Sequence, residues 1–246
     1  MQKPTQSLPG KDGLRVSADR IILIVERLEE DIGLGRLRPR ERLVEEDLAL
    51  RFSAKRHEVR QALAELDAMG IVVRRRNKGA LVRDFSLEEV ENIYSVRELL
   101  EGKAAEIIPL PNFVLVSELR RIHKVRLAAL RKGDLGAVFR GNLLFHKTLY
   151  RACGNPSLAE AIEIFALKTH AVRSLPNGNP KLLTRVTAEH AAIIDALASC
   201  DRAELVRRIL SHLLPARIAY SEIHAQLYGE ETAPTAARAD SRVPHL

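Results

Sequence analysis

Tryptophan is absent from these 246 residues, and the four tyrosines and six phenylalanines make up 4% of the chain, so aliphatic side chains carry most of the 46% hydrophobic fraction. Cysteine is scarce. Cys153 and Cys200 have neither the number nor the spacing of a disulfide framework or a zinc ribbon. They read as small buried hydrophobes in a reducing compartment. No apolar run approaches the length of a membrane span, and the polar opening MQKPTQSLPGKDG has no hydrophobic signal core. The expectation is therefore a cytoplasmic protein with no membrane partner. His-Glu-x-x-His, the phosphate-binding P-loop and Gly-x-Ser-x-Gly are all missing, which removes the commonest hydrolase signatures.

What is present is a basic excess, net charge +7, and helical periodicity. Ile21, Ile24, Val25, Leu28 and Ile32 form one stripe, ended by Gly33 and Gly35. A short helix follows near Glu45 to Arg51, and a third from about Lys55 to Met69, stopped by Gly70. Ile71 to Arg75 and Ala80 to Asp84 read as a hairpin around Gly79. Ser86 and Glu89 make a capping box. Beyond it about six helical segments follow, with no strand pattern. The expected fold is mainly α. A winged helix-turn-helix of three helices plus a β-hairpin wing covers residues 15–85, and an all-α antiparallel bundle for ligand binding and dimerisation covers 86–228. Residues 1–14 and 229–246, rich in Pro, Ala, Gly and polar residues, are expected to be flexible tails.

On a helical wheel, Val59, Ala62, Leu63, Leu66 and Met69 fall on one side of the third helix, with His57, Arg60, Gln61 and Ala64 opposite and Arg56 on the flank. Such a helix lies in the major groove with its N-terminal residues toward base edges. Arg56, His57, Arg60 and Gln61 are the recognition candidates, because Arg fits guanine and Gln fits adenine bidentately; Lys55 is placed to meet phosphate. The hairpin adds Arg74, Arg75, Arg76, Lys78 and Arg83, with no acid before Asp84.

PRERLVEEDLALRFSAKRHEVRQALAELDAMGIVVRRRNKGALVRDF resembles the winged-helix signature of GntR-family transcription regulators. The resemblance implies that Arg42, Arg56 and Arg60 contact DNA and that the wing tip near Lys78 and Gly79 enters the minor groove. Three positions depart from the pattern. Arg40 stands where glycine is usual, Lys55 where a capping serine is usual, with Ser53 as a substitute cap, and Glu58 where proline is usual, a charge expected to repel phosphate.

In the second domain, His146, His190 and His212 each sit on a core stripe, and Asn142 lies one turn before His146. A buried imidazole needs a partner, and convergence on one divalent transition metal satisfies all three: zinc first, with nickel, manganese or iron as alternatives. NLLFHKTLYRACGNPSLAEAI, AEHAAIIDAL and SHLLPARI resemble the FCD ligand-binding domain of the FadR-type branch. The resemblance implies an Asp and three His as ligands, here Asn142, His146, His190 and His212. The neutral amide leaves more positive charge on the site, which favours an anionic effector.

Arg97 and Glu101 also share a core stripe. They are either an internal pair or a clamp for an effector carboxylate, with Tyr150 and Arg173 as further candidates for the pocket. His123, His170, His224 and His245 read as surface or tail histidines. Glu189 is expected to face away from any metal. Together these features predict a homodimeric repressor, binding double-stranded operator DNA and controlled by a small organic acid. The alternatives are a metal-dependent hydrolytic enzyme with an accessory nucleic-acid-binding domain, and an acyl-thioester sensor without metal.

Overall fold

The computed structural model describes residues 11–75, 79–169 and 180–228. Helix α1, Lys11–Gly33, begins within the segment expected as a tail. Its stripe of Ile21, Ile24, Val25, Leu28 and Ile32 is buried. After it come β1 (Arg42–Leu43), α2 (Glu45–Arg51), α3 (Arg56–Ala68), β2 (Val72–Arg75) and β3 (Gly79–Val82). The strands form one antiparallel sheet in the order β1-β3-β2. Strand β1 is two residues long, too short for any alternation to announce it.

Arg40, standing where the resembled pattern has glycine, takes φ 66, a left-handed conformation that favours glycine. Its Nε donates to Asp84 Oδ2 at 2.5 Å.

Six further helices are described: α4 (Leu87–Ile107), α5 (Phe113–Arg131), α6 (Leu135–Arg151), α7 (Pro156–Lys168), α8 (Pro180–Ala198) and α9 (Arg202–Tyr228). Short polar side chains start most of them. Ser86 Oγ accepts from Glu89 N while Ser86 N donates to the Glu89 carboxylate, the reciprocal box expected from the sequence. Asn112, Asp134, Asn155 and Asp201 each accept from the amide three residues on. Cys153 is buried as expected, but Cys200 is exposed. It occupies the turn after α8 at φ 58, a helix-ending conformation that puts its side chain outside the core.

Two apolar cores share α4 and α9. The first joins α1, α3 and the sheet to Val90, Tyr94, Leu213 and Tyr220. The second lies among α4 to α9. Within the first, Tyr220 ties α9 to the segment after the sheet, its hydroxyl donating to the buried Phe85 carbonyl at 2.7 Å. Helices α1 and α6 approach closely at two glycines: a Cβ on Gly33 would meet the Phe139 ring at 2.3 Å, and one on Gly136 would meet Glu30 Oε1 at 2.5 Å. Buried Glu30 is ion-paired across this contact with Arg140 of α6.

Candidate nucleic-acid interface and metal centre

Helix α3 buries Val59, Ala62, Leu63 and Leu66, which turns its opposite face outward. Lys55, Arg56, His57, Arg60 and Gln61 are exposed, as are Arg42, Arg74, Arg75 and Gly79 around the sheet. Arg76 and Lys78 lie outside the described residues. Arg83, counted with the wing from its charge, instead donates to Glu89 at 3.1 Å and lies over the Phe85 ring.

Two acids of α2 reach the recognition arginines. Arg56 pairs with Glu46 at 2.8 Å and Arg60 with Glu45 at 2.7 Å.

Glu58 corrects an expectation. Rather than repelling phosphate, it is buried, accepting from Lys55 N at 2.7 Å and from Ser17 Oγ of α1 at 2.8 Å. The carboxylate thus satisfies the amide of Lys55, the residue that starts α3, and it ties α3 to α1. Burial acts to raise its pKa, but the Lys55 amide, the Ser17 hydroxyl and the charges of Arg20 and His57 outweigh burial and hold it below the ordinary 4.5.

In the helical domain, α6, α8 and α9 bring His146, His190 and His212 together, with ligand atoms from all three within 4.8 Å of one another. The ring centroids stand 5.0 to 5.1 Å apart, and His212 Nε2 is 3.3 Å from His146 Nε2. His190 is fully buried, stacked on Phe145 at 4.1 Å, and neither of its ring nitrogens has a hydrogen-bond partner. Burial, then the neighbouring His212, His146 and Arg126, pushes its pKa well below 6.5. It is a neutral imidazole, the form that binds metal.

Glu189 was expected to face away, yet its Oε2 meets His212 Nδ1 at 2.7 Å. Burial acts to raise its pKa, and His212 with Arg185 overcomes that and lowers it. A carboxylate on Nδ1 fixes the ring and leaves Nε2 toward the cluster, a common outer support of metal-binding histidines. The signal lay one residue before His190, but only the packing of α8 on α9 joins Glu189 to His212.

A cavity of about 80 Å³ opens beside the cluster, lined by Asn142, His146 and His212 together with Arg97, Arg126 and Val186. A second, about 380 Å³, shares Arg97 and His146 and is bounded also by Glu29, Met69, Tyr150 and Ile162. Arg97 is paired internally, its Nε donating to Glu101 Oε1 at 2.7 Å, with Thr169 Oγ1 at 3.2 Å. Tyr150 donates to the other Glu101 oxygen. The internal pair is therefore real, although Arg97 also borders both cavities. Arg173 lies outside the described residues.

Three further residues escaped the sequence reading. Arg126 is buried on α5, and burial lowers its pKa to about 10. His123 is half-buried beside His190, with ring centroids 6.3 Å apart, and His224 is buried against Tyr220. Neither is the surface residue expected; His170 and His245 lie outside the described residues.

Residues 92–214, half of the chain, match the model of the FCD domain, and residues 23–82 match that of bacterial regulatory proteins of the gntR family. This chain is a GntR-family regulator with an FCD domain. It is 26% identical over 187 residues to the "Probable D-xylose utilization operon transcriptional repressor" of Paenarthrobacter nicotinovorans, covering 74% of this chain and 80% of that one. It is 28% identical over 175 residues to the gluconate operon transcriptional repressor of Bacillus subtilis strain 168, covering 68% and 71%. The solved structure of E. coli McbR/YncC has the same fold, with TM-score 0.71 at 20% identity over 83% of this chain and 98% of that one. A GntR-family regulator binds DNA and controls transcription. The hydrolase alternative is thereby set aside: the family matches and relatives are regulators, not enzymes.

Proposed function

We propose that this regulator represses transcription as a homodimer in the cytoplasm, and that a small organic acid releases it from its operator. The acid binds beside a divalent metal held by His146, His190, His212 and the Asn142 amide. The observation that carries this reading is the central His190, buried and neutral, with two hydrogen-bonding nitrogens unused and two more imidazoles against it. Leaving such a group unsatisfied costs about 1–3 kcal/mol, which a metal ligand bond recovers. An acyl-thioester sensor without metal leaves that cost unexplained.

The residues present fit zinc first, then nickel, manganese or iron. When bound, the ion supplies a Lewis-acid docking point for a carboxylate. The chain's own residues do the rest. Glu189 orients His212, while Arg97, fixed from behind by Glu101, borders the pocket, with Tyr150 and Arg173 assigned to the effector as well.

At the other end, residues 15–85 read the operator. Arg56, His57, Arg60 and Gln61 address base edges, Lys55 and Arg42 the backbone, and Arg76, Lys78 and Gly79 the minor groove. One such helix reads few bases, so two copies on paired half-sites supply the specificity. Residues 86–228 bind the effector and form the dimer. The gluconate and xylose repressors among the relatives support repression as the sign of control.

The test is His146→Ala in the full chain. Purified wild type is expected to carry about one metal per chain and to lose operator affinity in gel shifts when titrated with a panel of organic acids. The variant is expected to lose metal and acid response while still binding operator. Wild type free of metal after purification and unable to take up zinc would refute the proposal.

A further inference from the structure

Arg126 is 2% exposed and lies on the core stripe of α5 with Leu115, Leu119, Ile122 and Ala129. Buried arginines are ordinarily neutralised by a carboxylate, as Arg97 is by Glu101. Arg126 has no acidic partner among the described residues. Its one hydrogen bond there is to Thr187 Oγ1, at 3.0 Å from Nη1, and its Nε has none. Residues 170–179, HAVRSLPNGN, contain no acid to supply one.

The side chain borders the cavity that Asn142, His146 and His212 line, and among the described residues no Asp or Glu lines it. Gly141 of α6 makes room for it: a Cβ there would stand 3.3 Å from Arg126 Cβ. A positive charge is therefore held beside a small cavity whose other described arginine, Arg97, is already paired.

We infer that Arg126 anchors a second acidic group of the effector, so that the site selects a compact dianion over a monocarboxylate. This rests on the metal and effector reading above. One carboxylate docks at the histidine cluster. The second acidic group, carboxylate or phosphate, accepts from the guanidinium in the bidentate manner that arginine favours. The occupant supplies the counter-charge that the described residues do not.

The test is calorimetry on the zinc-loaded full chain with two matched pairs: malate against lactate, and phosphoglycerate against glycerate. At least one of malate and phosphoglycerate is expected to bind about tenfold or more tighter than its singly acidic partner, as for a hydrogen bond to a charged group. The two arms distinguish a dicarboxylate from a phosphorylated acid. Arg126→Met is expected to remove that preference while leaving zinc content and ligand-free operator binding unchanged, and Arg126→Lys is expected to retain part of it.

Equal affinities within both pairs in wild type, binding by neither dianion, or a preference that survives Arg126→Met overturns the inference. The wild-type comparison decides even where a variant fails to fold. Failure of the underlying metal reading shows differently, as absence of zinc uptake. The same pairs on the metal-free chain then decide Arg126 alone.

Discussion

Single residues here do work that their type alone does not announce. Glu58 stands at the N-terminal turn of a DNA-reading helix, where a negative charge invites the expectation of repulsion. Its carboxylate instead turns inward, onto Lys55 N and Ser17 Oγ. Because folding holds its pKa below the ordinary 4.5, it contributes stability above that value, and the contribution is lost as pH falls through the lower folded value. Glu58→Ala is therefore expected to cost about 1 kcal/mol at neutral pH, as for loss of a helix cap. The gap between wild-type and variant melting temperatures should narrow as pH falls from 4.5 through the lower folded value. A gap that is constant with pH would assign the effect to packing. No rule of spacing could have told an inward Glu58 from an outward one, since the decision belongs to Ser17 on a helix 41 residues away.

At the scale of elements, the helices and their starts were legible. Ser86 caps where the sequence placed a cap, and the apolar stripe of α3 fixes which face carries Arg56, His57, Arg60 and Gln61. Less legible was the coupling of α2 to α3. Glu45 and Glu46 hold Arg60 and Arg56, so on the proposed reading operator binding breaks two ion pairs before the guanidiniums meet DNA. Glu46→Gln relieves one of them. Since such pairs are worth about 0–1 kcal/mol, operator affinity is expected to rise by up to about fivefold at low salt and converge with wild type at high salt. Fluorescence anisotropy across a salt series checks this. A fall in affinity would show instead that Glu46 positions Arg56 for its base.

For the whole molecule, the question is how the helical domain speaks to the reading head. Helix α6 carries Asn142 and His146, and α1 packs against α3. They meet at Gly33 and Gly136, across the Glu30–Arg140 ion pair. On the proposed reading, a shift of α6 on effector binding would be delivered to the helix that supports α3. Arg140→Met, which keeps the stem and removes the charge, is expected to leave ligand-free operator affinity within about twofold of wild type while shrinking the effector response. The response is itself a coupling of about 1–3 kcal/mol. Gel-shift titrations with and without acid separate the two quantities. An undiminished response would place the coupling elsewhere, with the Tyr220–Phe85 contact the next candidate.

The sequence by itself determined the class of fold, the outward face of α3 and the membership of the histidine cluster. Each depends on local periodicity, and a histidine on an apolar stripe stands out against its neighbours. Tertiary structure alone decided the partners of the buried charges. Glu189 met His212, Arg97 kept Glu101, and Arg126 was left with a threonine and a cavity. The periodicity of one helix says which side is buried but not which residue of another helix lies opposite. In a low-dielectric interior that opposite residue decides whether a charge is neutralised or waits for a ligand.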